Sequence, residues 1–178
     1  MRLDPKYFNL FIAICALLTL IVIIYGTINY SNQQALEFRD NLEAVQLDTL
    51  SFNRFNSDEI ISLTQFEGEP VIIQFWSTWS GKSIGVNRFL DEYIDVHPSL
   101  RVVAAIVRDG DEQVSRYLSE NNHDFIIVQG TEFFQEILIP GVPSQILISR
   151  SGTLFDAQVG DDIDALRTKL DSLLRDGT

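Results

Sequence analysis

From Tyr7 to Ile28 the chain runs for 22 residues without a charge (YFNLFIAICALLTLIVIIYGTI). No other stretch constrains the protein as strongly. At about 1.5 Å of rise per residue, such a helix spans the roughly 30 Å hydrocarbon core of a bilayer. Tyr7, Tyr25 and Tyr30 flank it as interfacial aromatics do. A cleavable signal peptide has a shorter apolar run and a small-x-small site after it, and neither is present here. A lipoprotein reading would use Cys15, but the bulky Ile14 precedes it and the apolar run continues beyond, so Cys15 reads as a small apolar residue facing lipid or another helix. Arg2 and Lys6 lie on the short side, whereas the first base beyond, Arg39, stands among Glu37, Asp40 and Glu43. The positive-inside rule then predicts a single-pass protein of the cytoplasmic (inner) membrane. Residues 1–6 are expected in the cytoplasm, 7–28 as the transmembrane anchor, and the rest outside, in the periplasm or at the surface if the cell is bacterial.

A length of 178 residues suits one domain with appendages. The net charge of −12 is concentrated after the apolar run, because Asp4 is the one acid among residues 1–28 while Arg2 and Lys6 are two of the 13 bases. A domain this acidic repels nucleic-acid phosphates and anionic headgroups, which argues against a nucleic-acid partner. Residues 29–46 are polar with a loose stripe of Leu36, Leu42 and Val45, read as a juxtamembrane helix or spacer. Residues 47–178 read as one compact domain.

Within that domain, strands and helices alternate. Leu47 to Phe55 has a partly extended pattern, followed by turn-prone Asn56-Ser57-Asp58. Pro70 to Trp76 is a nearly continuous run of β-formers, as in a strand buried on both faces. Ser83 to Val96 has helical spacing through Ile84, Phe89, Leu90 and Ile94, and stops before Pro98. Leu100 to Val107 is a second buried strand. Asp111 is expected to cap a helix running through Val114, Tyr117 and Leu118. Phe125 to Val128 is a third strand, and Thr131 to Leu138 a brief helix. Phe125, Phe133 and Phe134 together read as a core cluster. Gln145–Ser149 and Leu154–Val159 form a hairpin about Arg150-Ser-Gly-Thr153. Ile163, Leu166, Leu170, Leu173 and Leu174 give an amphipathic last helix. The order predicts an α/β fold, a mixed sheet flanked by helices and preceded by one transmembrane helix.

Four segments in order resemble the thioredoxin superfamily, and more narrowly its membrane-anchored extracytoplasmic branch, the cytochrome-c-maturation type. Ile61-Ser-Leu-Thr-Gln-Phe-Glu-Gly68 resembles the lead-in to the central strand. Pro70-Val-Ile-Ile-Gln-Phe-Trp-Ser-Thr-Trp79 resembles the strand entering the active site. Gly141-Val-Pro-Ser144 falls where that family carries a cis-proline loop, and Ile146-Leu-Ile-Ser-Arg-Ser-Gly152 resembles the hairpin that follows. The resemblance covers roughly residues 47–175 and implies a thioredoxin-like fold. It also implies a surface formed by Trp79, Ser80, Gly81, Lys82, Ser83, Val142 and Pro143. In that surface Trp79 is a hydrophobic platform and the Val142 backbone pairs with an extended peptide.

The chemistry of the family is missing. Where it carries Trp-Cys-x-x-Cys, this chain reads Trp79-Ser80-Gly81-Lys82-Ser83. Disulfide exchange needs a thiolate. A serine hydroxyl ionises far higher, and a helix N-terminus shifts it by about 1 kcal/mol, under one pKa unit. Residues 29–178 contain no cysteine. A hydrolytic serine needs a base in reach, and His97 and His123 are both expected at helix ends away from this loop. A P-loop would need glycine where Trp76 stands. Two isolated histidines offer no metal-ligand spacing. No cofactor or metal is expected, and the degenerate positions Ser80 and Ser83 are not catalytic. The sequence thus favours a noncatalytic polypeptide-binding or assembly module outside the cytoplasmic membrane. The alternatives are a thiol-disulfide oxidoreductase whose active-site cysteines have been replaced by serine, and a structural subunit of a membrane complex.

Overall fold

The computed structural model describes residues 5–43 and 45–176, with side chains placed except at 5–10, 27–32, 34, 35 and 48. Two compact units result, Met1–Glu37 and Phe38–Thr178. The first consists of the greater part of helix α1 (Pro5–Glu43). Among the described residues no helix is long and apolar enough to cross a membrane. The expected span of 7–28 lies partly outside them, since the side chains of 7–10 and 27–28 are not described.

The second unit begins nine residues before the expected domain start at 47, because the end of α1 supplies core. Phe38 and Leu42 are 1% and 0% exposed and pack with Phe52, Phe75 and Ile146. The polar composition of residues 29–46 concealed this, since only two side chains of the last turns are needed to bury that face.

After a turn of 3₁₀ helix (Leu47–Thr49), β1 (Ser51–Asn53) and β2 (Ile60–Ser62) form an antiparallel hairpin. The main sheet follows: β3 (Val71–Trp76), β4 (Arg101–Ile106), β5 (Ile126–Gln129), β6 (Ser144–Ile148) and β7 (Leu154–Val159). Its spatial order is β5-β4-β3-β6-β7. β3 and β4 are parallel, as are β4 and β5, while β6 and β7 are added antiparallel. The predicted change from crossovers to a terminal hairpin is therefore present. Every residue of β3 is buried, as a central strand covered on both faces requires.

Helices α2 (Gly81–Val96) and α5 (Ile163–Arg175) cover one face, on which Ile72 and Trp76 meet Val86, Leu90, Leu166 and Leu170. Val114 of α3 (Asp111–Glu120) packs in this layer too. The end of α1, the β1–β2 hairpin and α4 (Thr131–Glu136) cover the other. Phe133 and Phe134 belong to that second layer, whereas Phe125 lies in the α2/α5 layer. The expected single aromatic cluster is thus divided by the sheet, because Phe125 precedes β5 and the other two follow it. A second correction concerns α3, whose N-cap is Gly110, with no side-chain cap; Asp111 is the first helical residue. Its carboxylate still lies beside the positive end of the helix dipole.

If the end of α1 is part of the folded unit, Phe38→Ala in the full chain should lower stability by about 3 kcal/mol in urea unfolding followed by circular dichroism. A change below about 0.5 kcal/mol would return residues 38–43 to the role of a passive spacer.

Candidate functional site

The C-terminal ends of β3, β4, β5 and β7 and the start of β6 share one edge of the sheet, by their order and direction. All seven residues singled out in the sequence lie in loops or first helical turns at this edge. β3 leaves the sheet through Ser77, Thr78 and Trp79. Ser77 Oγ donates to the Val107 carbonyl. Asp109 accepts from the Thr78 N–H, from Thr78 Oγ1 at 3.1 Å and from the Gly110 N–H at 3.0 Å. One carboxylate therefore ties the β3–α2 turn to the β4–α3 turn. Arg108 between them has φ +48, which aims its carbonyl at Trp79 Nε1, 3.3 Å away. Its N–H donates to Thr131 Oγ1 at 2.9 Å, and its guanidinium lies 5.9 Å from the Phe134 ring centroid. Gly130, just before Thr131, packs closely on β4, where a Cβ would stand 2.6 Å from the Ala105 Cβ.

The two tryptophans divide as the sequence suggested for the first of them. Trp76 is 1% exposed and part of the core. Trp79 is 65% exposed, with its indole nitrogen bonded to the Arg108 carbonyl, and presents its ring to solvent.

Ser80 and Ser83 have structural roles. Ser80 is the N-cap of α2, its Oγ accepting from the Ser83 N–H at 3.2 Å. Ser83 is fully buried, and its Oγ has no hydrogen-bond partner among the described residues. Neither serine is bonded to a base. His97 caps the other end of α2, which puts it about 24 Å away by helix rise. His123 is occupied by Asp91, 3.2 Å from Nδ1, and by the Tyr117 hydroxyl, 2.8 Å from Nε2. The site supplies neither thiolate nor activated hydroxyl. Gly81 opens α2, and Lys82 forms an ion pair with Asp161 at 2.9 Å. That pair holds the Asp161 carboxyl below its ordinary value, through the hydrogen bond from Lys82 against a small opposing effect of burial.

The Val142–Pro143 peptide is cis, in the loop where the resemblance placed it. Pro143 accepts the Gly160 N–H at 2.9 Å, and Gly141 accepts Ser144 Oγ at 2.7 Å. Val142 itself makes no backbone hydrogen bond among the described residues, so its N–H and C=O remain open.

Sequence reasoning missed the parts that hold the site. Arg108, Asp109 and Asp161 carry no motif. Gln74 did carry a signal, as a polar residue in an otherwise apolar strand. It lies opposite Gln145, which lies opposite Gln158, and all three are buried. Gln145 Nε2 donates to Gln74 Oε1 at 2.9 Å, and Gln158 Nε2 to the Asp162 carbonyl at 2.9 Å. Gln145 Nε2 also lies 3.5 Å from the Gly160 carbonyl, which links the central strand to the turn that supplies Asp161.

The two serines should separate cleanly on removal. Ser80→Ala is expected to cost about 1 kcal/mol as a lost cap, and Ser83→Ala to be neutral or slightly stabilising, because its hydroxyl is buried without a partner. Thermal unfolding of the two variants decides it, and a Ser83→Ala loss larger than that of Ser80→Ala would contradict this account. The Lys82–Asp161 pair fixes a sign for pH. A depressed carboxylate pKa contributes stability above the unfolded value, near 3.9, and the contribution is lost as pH falls through the folded value. Lys82→Met should move the Asp161 carboxyl titration upward in a carbon-detected NMR titration; an unmoved curve would exclude the pair.

No family model and no curated protein matches the sequence. Solved structures do. The chain is similar to dsbF of Mycobacterium tuberculosis at a TM-score of 0.63 and 15% identity, over 71% of this chain and 96% of that one. It is similar to StoA of Bacillus subtilis at 0.55 and 20%, over 68% and 95%. It is similar to a thiol:disulfide interchange protein of the thioredoxin family from Chlorobium tepidum at 0.62 and 15%, over 71% and 94%. Identities this low carry the fold and nothing finer. The second unit has a thioredoxin-like mixed α/β fold, a five-stranded sheet flanked by helices, and it lacks the dithiol.

Proposed function

We propose that this chain is a membrane-anchored, extracytoplasmic thioredoxin-fold protein that binds a polypeptide, or assembles with one, without redox catalysis. One observation carries the reading. The two positions where the family places its cysteines hold a helix-capping serine and a fully buried serine, while the one cysteine of the chain, Cys15, lies in the apolar run of α1. Neither hydroxyl can form a disulfide with a substrate, which supports a non-covalent role for this surface.

The surface supports holding. Trp79 offers a wide apolar face to solvent, and Val142, in a loop at the same edge of the sheet, makes no backbone hydrogen bond among the described residues, which supports addition of an extended segment by strand-like pairing. The anchor is supported by the sequence of residues 7–28 and by the solvent exposure of Phe11, Leu17, Leu18, Ile21 and Val22, each above half of its surface. Such a continuous apolar surface is unfavourable in water and favourable in lipid. Extracytoplasmic placement is supported by Arg2 and Lys6 on the short side of the apolar run.

The full chain is expected to reduce insulin no faster than buffer with dithiothreitol, whereas Ser80→Cys combined with Ser83→Cys should bring turnover clearly above that background, since the helix N-terminus and cis-proline loop are in place. Dithiol-dependent turnover by the natural chain would refute the noncatalytic reading. A folded but inert double variant would show that the groove has diverged from its redox-active relatives.

A further inference from the structure

We propose that the surface around Trp79 takes a basic, extended polypeptide segment with an apolar anchor. The inference rests on the polypeptide-binding reading above and names the chemistry of the partner.

The loops at this edge are tied together: Trp79 to Arg108, Arg108 to Thr131, Lys82 to Asp161, and Gly160 to Pro143. Trp79 and the half-buried Val142 are its apolar components, and the charges around them are unbalanced. Of the two bases at the edge, Lys82 is paired with Asp161, and Arg108 keeps its charge, its guanidinium 5.9 Å from the Phe134 ring centroid with no carboxylate partner among the described residues.

The acids outnumber them. Asp109 is turned inward as the clasp between two turns, and Asp162 caps α5 through the Ala165 N–H at 3.0 Å. Asp111, at the start of α3, and Glu132, at the start of α4, are exposed and have no ion-pair partner among the described residues. Against the one cation of Arg108, the carboxylates of Asp109, Asp111, Glu132 and Asp162 leave a net negative field at the edge, around an exposed indole. That field repels an acidic chain and attracts lysine or arginine, which gains further by placing its cation over the indole face. The apolar anchor follows from Trp79, because an exposed indole and an open valine backbone bury little unless the segment brings apolar surface of its own.

The test uses the full chain in an uncharged detergent and three fluorescein-labelled nine-residue peptides. Each has a central Leu-Phe pair, flanked by lysine, glutamine or glutamate, and binding is read by anisotropy. At low salt the lysine peptide should bind at least about tenfold more tightly than the glutamine peptide, and the advantage should vanish at about 0.5 M salt, where screening shortens to a few ångströms. Asp111→Lys with Glu132→Lys should abolish the preference, whereas Asp58→Lys with Glu67→Lys, the same charge change elsewhere, should keep it. Trp79→Ala should weaken all three peptides. Equal binding of the lysine and glutamine peptides, or a preference that survives the Asp111/Glu132 reversal, overturns the inference while leaving polypeptide binding standing. Failure of every peptide to bind the folded chain overturns both.

Discussion

Strand β3 is buried along its whole length, hydrogen-bonded to parallel β4 on one side and antiparallel β6 on the other. Everything at the candidate site depends on that constraint. A strand covered on both faces cannot shift by one residue without exchanging Ile73 and Phe75 for Ile72, Gln74 and Trp76 between two different apolar layers. Its end is therefore fixed, and with it the point where the chain turns through Ser77–Trp79 into α2. Because β6 runs antiparallel beside it, the cis-proline loop necessarily enters the sheet at the edge where β3 leaves it.

That edge is held by polar contacts more than by packing. The Asp109 carboxylate joins two turns, the Arg108 carbonyl holds the Trp79 indole, and the Lys82–Asp161 pair joins α2 to the turn after β7. Beneath them the buried amides of Gln74, Gln145 and Gln158 connect three strands in register. These amides add no buried charge, but Gln74 Nε2, Gln145 Oε1 and Gln158 Oε1 are buried without a hydrogen-bond partner among the described residues, which offsets part of what their bonds contribute. At the start of α2 this edge carries a capping serine and a buried serine hydroxyl, and no thiol.

How much of this was legible followed from the range of each interaction. The alternation of strands and helices from Pro70 onward matched the folded chain closely, because runs such as Val71–Trp76 and Ile163–Leu174 carry their burial pattern in their own residues. The cis-proline loop was legible through resemblance, and the burial of Trp76 through its place at a strand end. Asp111 failed as an N-cap because Gly110 had already taken the capping backbone conformation (φ −86, ψ 140). Phe38 escaped notice, and Leu42 was read only as part of a loose stripe on a spacer, because their burial depends on β1, β3 and β6, remote in sequence. The three-phenylalanine cluster failed for a related reason, since proximity in sequence across β5 does not decide which face of a sheet a side chain meets.

The sequence by itself decided that the domain has no thiolate, that it is acidic, and that it alternates strands and helices, because those properties belong to residue identities and to local periodicity. Only the tertiary structure decided that Trp79 faces solvent, that Ser80 is occupied as a cap, and that Lys82 is paired while Asp111 and Glu132 have no ion-pair partner among the described residues. Exposure and pairing are properties of neighbours, and the neighbours of Trp79 and Lys82 come from positions 108 and 161, brought there by strand order and not by any pattern along the chain.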